Sequence, residues 1–311
     1  MPNPFDPSVS GYERDMVGYG RRPPDPRWPG GAVIAVQVVV NYEEGGENNI
    51  LHGDAGSESF LTEHITTPTL GARHLTSETL WEYGSRAGFW RLWRELSARQ
   101  IPVTCYGVTM ALGRNPQAVA AMKEAGWEIA THGLRWNVAP PASEEDERRE
   151  IEETLALHEE ICGAPAVGWY NRSSMRTYRL LGEIGGMLYF SDNYADDLPF
   201  WSRVTGKPEL FIPYTLDAND MRFAVSNGFA ESDQFFTYLR DTFDTLYREG
   251  QAGQPKMMSI GLHGRLSGRP GRCTGLVRFL DYVMGKPSVW FAKREEIARH
   301  WRACHPPISG A

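Results

Sequence analysis

The segment AVIAVQVVV, residues 32–40, is the longest apolar run of the chain, and the polar segment NYEEGGE, residues 41–47, follows it directly. Because the run is rich in β-branched residues and carries a single polar side chain, it predicts a strand that is buried on both faces. A run of this length is far too short for a membrane-spanning helix, which needs about 20 residues. The junction therefore predicts a buried strand that ends in a cluster of carboxylates.

Outward from this strand, segments with helical apolar spacing alternate with short segments rich in β-branched and aromatic residues. Strands are predicted in six further segments: IPVTCYGV, WEIATHG, APAVGWY, MLYFSDNY, KMMSIGLH and SVWFA. Helices are predicted in seven segments: GSRAGFWRLWRELSARQ, NPQAVAAMKEAG, SEEDERREIEETLALHEEICG, RTYRLLGEIGG, ESDQFFTYLRDTFDTLYREG, GLVRFLDYVMG and REEIARHWRACH. This alternation predicts an α/β fold built on a parallel sheet or barrel. The segment from Glu43 to about Thr79 is rich in Gly, Glu, His and Thr, and it is predicted to be an ordered loop region.

The domain organisation follows from composition. Residues 1–31 are rich in Pro, Gly and Arg, which predicts an extended N-terminal arm that either wraps the surface or reaches a neighbouring subunit. Residues 32–311 contain no dividing linker and are predicted to form a single catalytic α/β barrel domain. The charged helix around residues 143–163 is predicted to present a solvated face that includes His158.

Charge and cysteine usage exclude several classes of protein. The net charge is -7 and no basic stripe is visible, which argues against a nucleic-acid partner. The first residues show no basic region followed by an apolar one, so we expect neither a signal peptide nor a membrane partner. The four cysteines are far apart and lack zinc-site spacing, so free thiols in a cytoplasmic protein are expected.

Polar side chains that can take part in catalysis lie at the ends of several predicted strands. The carboxyl ends of parallel strands lie at the same edge of a sheet, so these side chains are expected to be close together. Glu43 and Glu44 follow the first strand, where two buried carboxylates are costly unless they are used or paired. They are a candidate general base and an orienting or substrate-binding group, although a solvated turn is the alternative. His132 and His263 end two further strands, and imidazole titrates near working pH, so His263 is the better candidate for a general acid.

Two further strand ends are candidate pocket walls. Tyr170, Asn171 and Arg172 follow one strand, where they either line a pocket or serve packing and capping. Asp197 lies in SDNYADDLP, residues 191–199, which is either a substrate-binding segment or an Asx-rich turn. The other histidines are weaker candidates because they lie on predicted helices, in the loop region or near the C-terminus.

The order of these motifs resembles that of polysaccharide deacetylases of carbohydrate esterase family four, which have a deformed (β/α) barrel. In that family a paired-Asp motif supplies a base and a metal ligand, an H-x-x-x-H motif binds the metal, and a late histidine acts as acid. The corresponding positions here are Glu43–Glu44, His132 to Trp136, and His263. Trp136 cannot coordinate a metal, so the resemblance implies that a metal ligand is lost.

The chain is more similar to the metal-independent allantoinase branch of this superfamily. The similarity covers roughly residues 11–305 and is carried by GYGRRPPDPRWPGGA, VVVNYEEGGE, LHGDAGSE, EYGSRAGFWRLW, the HG-x-RW element, DDLPFW, IPYTLDANDMRF and SIGLHGRL-x-GRP. Where that branch is expected to read close to GWYTGR and DSDTYDDDLP, this chain has GWYNRSS and FSDNYADDLP. Asn171, Arg172 and Phe190 are the resulting departures, so a pocket that differs in detail is expected.

The resemblance implies hydrolysis of allantoin to allantoate without a metal or other cofactor, in a homo-oligomer with a tetramer as the expected state. Glu43 would act as base, Glu44 would orient His132 or bind ring N–H groups, and His263 would protonate the leaving nitrogen. The carbonyl oxygen would be held by Arg135 and backbone N–H groups. The pocket walls and substrate contacts would come from Trp136, Tyr170, Asn171, Arg172 and Asp197. Three alternatives remain: hydrolysis of another cyclic ureide, imide or small amide, a metal-dependent sugar N-deacetylase, and an inactive binding protein.

Overall fold

The structure is a computed structural model, and it describes residues 14–63, 67–136 and 141–307. The strands are β1 Ile34–Tyr42, β2 Val103–Gly107, β3 Glu128–Thr131, β4 Gly168–Trp169, β5 Tyr189–Phe190, β6 Phe200–Ser202, β7 Glu209–Phe211, β8 Lys256–His263 and β9 Val289–Phe291. The α-helices are α1 Leu75–Tyr83, α2 Phe89–Ala98, α3 Thr109–Arg114, α4 Pro116–Glu124, α5 Glu144–Cys162, α6 Met175–Ile184, α7 Ser232–Gln251, α8 Pro270–Met284 and α9 Arg294–Cys304. Within these ranges, no helix is long and apolar enough to cross a membrane.

The strands form one curled sheet in the order β6-β7-β5-β4-β3-β2-β1-β8. All neighbouring strands are parallel except the β6–β7 pair. β9 pairs with the first part of β1, and β2 pairs with its second part. The predicted deformed (β/α) barrel is thereby confirmed, in the form of a half-barrel.

β1 is the central strand, and its sequence explains its position. Every residue of β1 is buried. Alternate side chains from Ile34 to Tyr42 pack into the main hydrophobic core, while Gln37, Val39 and Asn41 face the opposite side. Since both faces are covered, the strand is almost continuously apolar, and the one internal Gln reaches a buried polar network.

The described part of the N-terminal arm packs on its own chain. Trp28 is buried, and its Nε1 donates to the carbonyl of Lys256 at 2.9 Å. Its ring lies against Trp290 and Trp301, and it shares a hydrophobic core with Ala32. Trp28, within the predicted arm, is therefore part of a hydrophobic core, and the division at residue 31 stays a prediction. Residues 1–13 lie outside the described residues, and the homo-oligomer stays a prediction.

The structure corrects one local prediction, adds a pair of strands that was not predicted, and confirms a third point. α1 begins at Leu75, inside the segment predicted as a loop, and a π-helical turn at Gly84–Gly88 joins it to α2. The β6–β7 pair was not predicted, because each strand has only three residues. The four cysteines are free thiols, as predicted.

His158 does not lie on a solvated face. It is 1% exposed on α5, in a buried stripe with Ile151, Thr154 and Cys162. These residues recur at helical spacing. Thr and His are polar residue types and many charged residues lie between them, so the sequence showed no continuous apolar face. Burial lowers the pKa of His158 to about 4, so its imidazole is neutral in the folded protein at neutral pH.

Candidate active site

The strand register brings three predicted catalytic residues to one edge of the sheet. Asn41 lies opposite His263, and Tyr42 lies opposite Gly107, which in turn pairs with Thr131. Glu43 and His132 are the residues that directly follow Tyr42 and Thr131. The carboxyl ends of β1, β3 and β8 are therefore level, and their side chains meet.

Glu43 is the centre of this cluster. The Nε2 atoms of His132 and His263 lie 3.3 and 3.4 Å from its Oε1 atom. Its Oε2 atom lies 2.7 Å from Nη2 of Arg265. Glu43, His132, His263 and Arg265 are all 3% exposed or less. The structure thus joins the three residues predicted to be catalytic and adds a cation that was not predicted.

Asp220 is a second functional candidate that sequence reasoning missed. The His263 ring donates from Nδ1 to Asp220 Oδ1 at 2.6 Å, so Nε2 faces Glu43. Backbone N–H groups of His263 and Ser267 donate to Asp220 Oδ2. Asp220 begins a 3₁₀ turn, Asp220–Ala224, and does not follow a predicted strand, so the strand-end rule did not indicate it.

Neighbouring charges outweigh the effect of burial on the pKa values of Glu43 and His263. Burial alone would raise the pKa of Glu43, but Arg265, followed by the two histidines, holds that pKa well below its ordinary value. Burial alone would lower the pKa of His263, but the carboxylates of Glu43 and Asp220 raise it to about 9. At neutral pH the site therefore contains an ionised carboxylate beside a protonated imidazole, which is a base next to an acid.

Glu44 lies against the loop that follows β8 and not against His132, which corrects one of its two predicted roles. Its Oε1 atom accepts from the backbone N–H of Arg265 at 3.1 Å. Burial is the main cause that raises the pKa of Glu44, and Arg265 offsets it only in part. A Cβ atom on Gly84 would overlap the Glu44 carboxylate, so the π-helical turn requires glycine there.

Arg135, which was predicted to hold the reacting carbonyl, pairs with a residue outside the Glu43 cluster. It is half-buried and forms an ion pair with Asp54. The cation that contacts Glu43 is Arg265, two residues after His263 in the sequence. Both arginines follow a strand-end histidine at short distance, so the sequence alone could not distinguish them.

Predicted pocket residues lie around this cluster. The Tyr170 ring stacks on Tyr106 and lies 4.9 Å from the His132 ring, measured between centroids. Trp136 is buried between Trp81 and Phe60. These rings form apolar walls beside His132 and Arg265.

Asn171 and Arg172 lie at the outer side of the same walls. Their backbone N–H groups donate to the Asp192 carboxylate at 2.9 and 2.7 Å, which orders the loop after β4. The Arg172 guanidinium stacks over the Trp136 ring at 4.6 Å from its centroid. The Asn171 amide packs on Gly133, where a Cβ atom would overlap it.

Asp197 is not part of the cluster, which corrects its predicted role. Its side chain is exposed, and its carbonyl accepts from the backbone N–H of Met257 at 3.0 Å. Met257 is near the amino end of β8 and His263 is at the other end, about 20 Å away at the rise of a β-strand. The Asx-rich turn was the better interpretation.

The donor set at the cluster does not fit the divalent ion that the superfamily resemblance implies. Arg265 already places a positive charge next to both Glu43 and Glu44, with its Nη1 atom 3.6 Å from Glu44 Oε1. Trp136 stands where a second histidine ligand would be needed. Across residues 14–63, 67–136 and 141–307, no group of three or more His, Cys, Asp or Glu side chains is placed to hold a metal.

Comparisons with known proteins identify the family. Residues 76–176 match the family model described as polysaccharide deacetylase. A Schizosaccharomyces pombe protein named for that family is 42% identical, with 95% of this chain and 99% of that protein covered. A Pseudomonas aeruginosa PAO1 structure named for the same family superposes with a TM-score of 0.93 at 51% identity, covering 96% of this chain and 100% of the other.

A solved structure of Puue allantoinase superposes with a TM-score of 0.92 at 51% identity, covering 96% of this chain and 99% of the other. With these relatives, the half-barrel defines the chain as a hydrolase. The chain belongs to the polysaccharide deacetylase superfamily, as its sequence motifs implied.

Proposed function

We propose that this protein hydrolyses the C–N bond of a cyclic amide, and that allantoin, opened to allantoate, is the leading substrate. The observation that carries the proposal is the buried Glu43 carboxylate with two imidazoles on one oxygen and a guanidinium on the other. The 51% identity to Puue allantoinase supports the choice of substrate.

In the proposed reaction, the Glu43 carboxylate removes a proton from water while the water oxygen bonds to the carbonyl carbon of the ring. His263 then gives its Nε2 proton to the ring nitrogen as the C–N bond breaks. The products are a carboxylic acid and an N–H group on one open chain, so the atoms of water are all accounted for. The proton on Glu43 returns to His263, whose Nε2 atom lies 3.4 Å away.

The surroundings of Glu43 support this division of roles. Asp220 accepts a hydrogen bond from the Nδ1–H group of His263, which orients Nε2 toward the reacting atoms. The rings of Tyr170 and Trp136 provide flat apolar walls that suit a small planar ring better than a sugar chain. Burial removes bulk water, and this strengthens every charge interaction in the site.

The substrate could instead be a related cyclic ureide or imide. One feature favours this second candidate: the half-buried Arg172 guanidinium is stacked over the Trp136 ring and adds a positive charge beside it. A carbonyl-rich or anionic ring substituent would be attracted there. The proposed chemistry is the same for both candidates, and only the ring substituent differs.

The experiment is a turnover screen of allantoin, other cyclic ureides and imides, and N-acetylated sugar oligomers, before and after chelator treatment. We expect hydrolysis of allantoin or a close cyclic amide at an unchanged rate after chelation, with no stoichiometric metal in the active protein. Turnover of acetylated sugars alone, or activity that is lost on chelation and restored by zinc or cobalt, would refute the proposal.

A further inference from the structure

Arg265 is the most completely enclosed cation at the cluster. It is 1% exposed, its guanidinium carbon lies 3.9 Å from the centroid of the Trp81 ring, and its Nε atom donates to the Leu61 carbonyl at 3.1 Å. Its Nη2 atom lies 2.7 Å from Glu43 Oε2, so the two side chains form a buried ion pair.

Beside the ion pair between Arg265 Nη2 and Glu43 Oε2, two buried polar atoms of this cluster have no hydrogen-bond partner within the described part of the chain. They are Nη1 of Arg265 and Nδ1 of His132. A buried donor or acceptor left without a partner costs about 1–3 kcal/mol, and more when it is charged. Such atoms gathered in one place indicate a site whose hydrogen bonds are completed by a bound molecule.

The loop that carries Arg265 is held rigidly by the π-helical turn. A Cβ atom on Gly88 would overlap the Gly264 carbonyl, so the two backbones are in direct contact. Glu44 holds the backbone N–H of Arg265 from the other side. The guanidinium is therefore placed before substrate binds, which is the requirement for electrostatic catalysis.

We propose that Arg265 is a catalytic residue whose Nη groups bind the carbonyl oxygen of the substrate and stabilise the oxyanion of the tetrahedral intermediate. This inference rests on the proposed function and assigns the role that sequence reasoning had given to Arg135. It also explains the poor fit of a divalent ion, because the guanidinium supplies the positive charge beside Glu43 and Glu44.

The electron pairs balance in each step. When the water oxygen bonds to the carbonyl carbon, the carbonyl π electrons move to the oxygen, and the Arg265 N–H groups donate to the resulting oxyanion. When the double bond re-forms, the C–N electron pair moves to nitrogen and takes the proton of His263. Arg265 keeps all of its protons, as expected of a guanidinium.

The experiment compares Arg265→Ala and Arg265→Lys with the wild type on two substrates, the best cyclic amide and p-nitrophenyl acetate. Both reactions form an oxyanion, but only the first tests the proposed function. We expect Arg265→Ala to lower kcat by on the order of 10²- to 10³-fold on both substrates with KM little changed. Added methylguanidinium should restore part of that loss.

Arg265→Lys keeps the charge and the burial but loses the planar pair of donors, so we expect a fall in kcat of about tenfold or more with native circular dichroism. The matched control is Arg269→Ala, on the same loop, where the guanidinium stacks over Tyr83 at 3.6 Å from its centroid. This control should keep kcat within about twofold, because among the described residues its side chain pairs with no carboxylate.

The outcomes separate the two proposals. If the wild type cleaves p-nitrophenyl acetate but no cyclic amide, the proposed function is wrong, and the loss and rescue on the ester still test Arg265. If a folded Arg265→Ala or Arg265→Lys variant keeps the wild-type kcat, the role of Arg265 is refuted. A folded Arg265→Ala variant that loses activity without rescue by methylguanidinium also counts against a direct role.

Discussion

Arg265 and Arg294 are both buried in the half-barrel, yet their surroundings differ in kind. Arg294, 0% exposed at the start of α9, donates only to neutral oxygens of Gln37, Ser191 and Ser259 and of the backbone at residues 212 and 213. Arg265 forms an ion pair with Glu43 and lies beside Glu44, and its Nη1 atom makes no hydrogen bond within the described residues. One guanidinium is fully satisfied and the other is not.

The difference distinguishes a buried charge that has a structural role from one that has a role in catalysis. A buried charge whose hydrogen bonds are complete stabilises one arrangement of its neighbours and leaves nothing for a ligand. A buried charge with open donors beside an ionised carboxylate is costly to keep, and that cost is recovered when a substrate binds. The same contrast exists between Glu43 and Glu128, a buried carboxylate that accepts from Thr104, Tyr189 and the backbone of Glu295.

The largest effect is expected from Glu43→Gln, which keeps the shape of the side chain but removes its basicity. It should lower kcat by on the order of 10³-fold, while Glu128→Gln should leave kcat of the folded protein nearly unchanged. Steady-state kinetics with the best substrate measure both variants, and thermal unfolding checks that each is folded. If Glu43→Gln retains the wild-type rate, Glu44 becomes the candidate base and the contrast with Glu128 fails.

Arg294→Met should lower the stability of the fold and leave kcat nearly unchanged. The change leaves several buried oxygens without donors, so we expect the free energy of unfolding to fall by about 3–5 kcal/mol. Urea unfolding followed by circular dichroism measures this, and kcat per folded molecule should stay within about threefold. A stable Arg294→Met variant with a large loss of kcat would show that the two arginines do not differ as described.

His158 provides a third buried polar group, and its effect depends on pH. Its pKa is about 4 when folded, below the ordinary 6.5, because burial disfavours the charged ring. The unfolded chain therefore binds the proton first, and the free energy of unfolding should fall by up to about 3 kcal/mol as the pH drops from 6.5 to 4. Denaturant titrations across this range should show a flatter profile for His158→Leu than for the wild type.

The smallest effect concerns the alkaline limit of activity. The His263 pKa of about 9 means that the ring is protonated below that pH and loses its proton above it. The value of kcat/KM should therefore decline above about pH 9. Asp220→Asn removes one of the charges that raise this pKa, so the limit should move to lower pH by about one unit. An alkaline limit that stays in place in Asp220→Asn would exclude His263 as the titrating acid.

The sequence by itself determined the alternating α/β organisation and the edge of the sheet at which the chemistry lies. The apolar run at residues 32–40 predicted a buried strand, and the carboxyl ends of parallel strands lie at the same edge of a sheet. Glu43, His132 and His263 could therefore be predicted as neighbours although they lie far apart in the chain.

Only the tertiary structure decided which charges meet these three residues. Asp220 precedes His263 by 43 positions and reaches it from a 3₁₀ turn, and Arg265, not Arg135, turns toward Glu43. Such contacts depend on loop conformation and side-chain direction, which have no period that a sequence pattern can reveal. The burial of His158 and the exposure of Asp197 could not be predicted for the same reason: the type of a polar residue does not determine whether its side chain points to the core or to solvent.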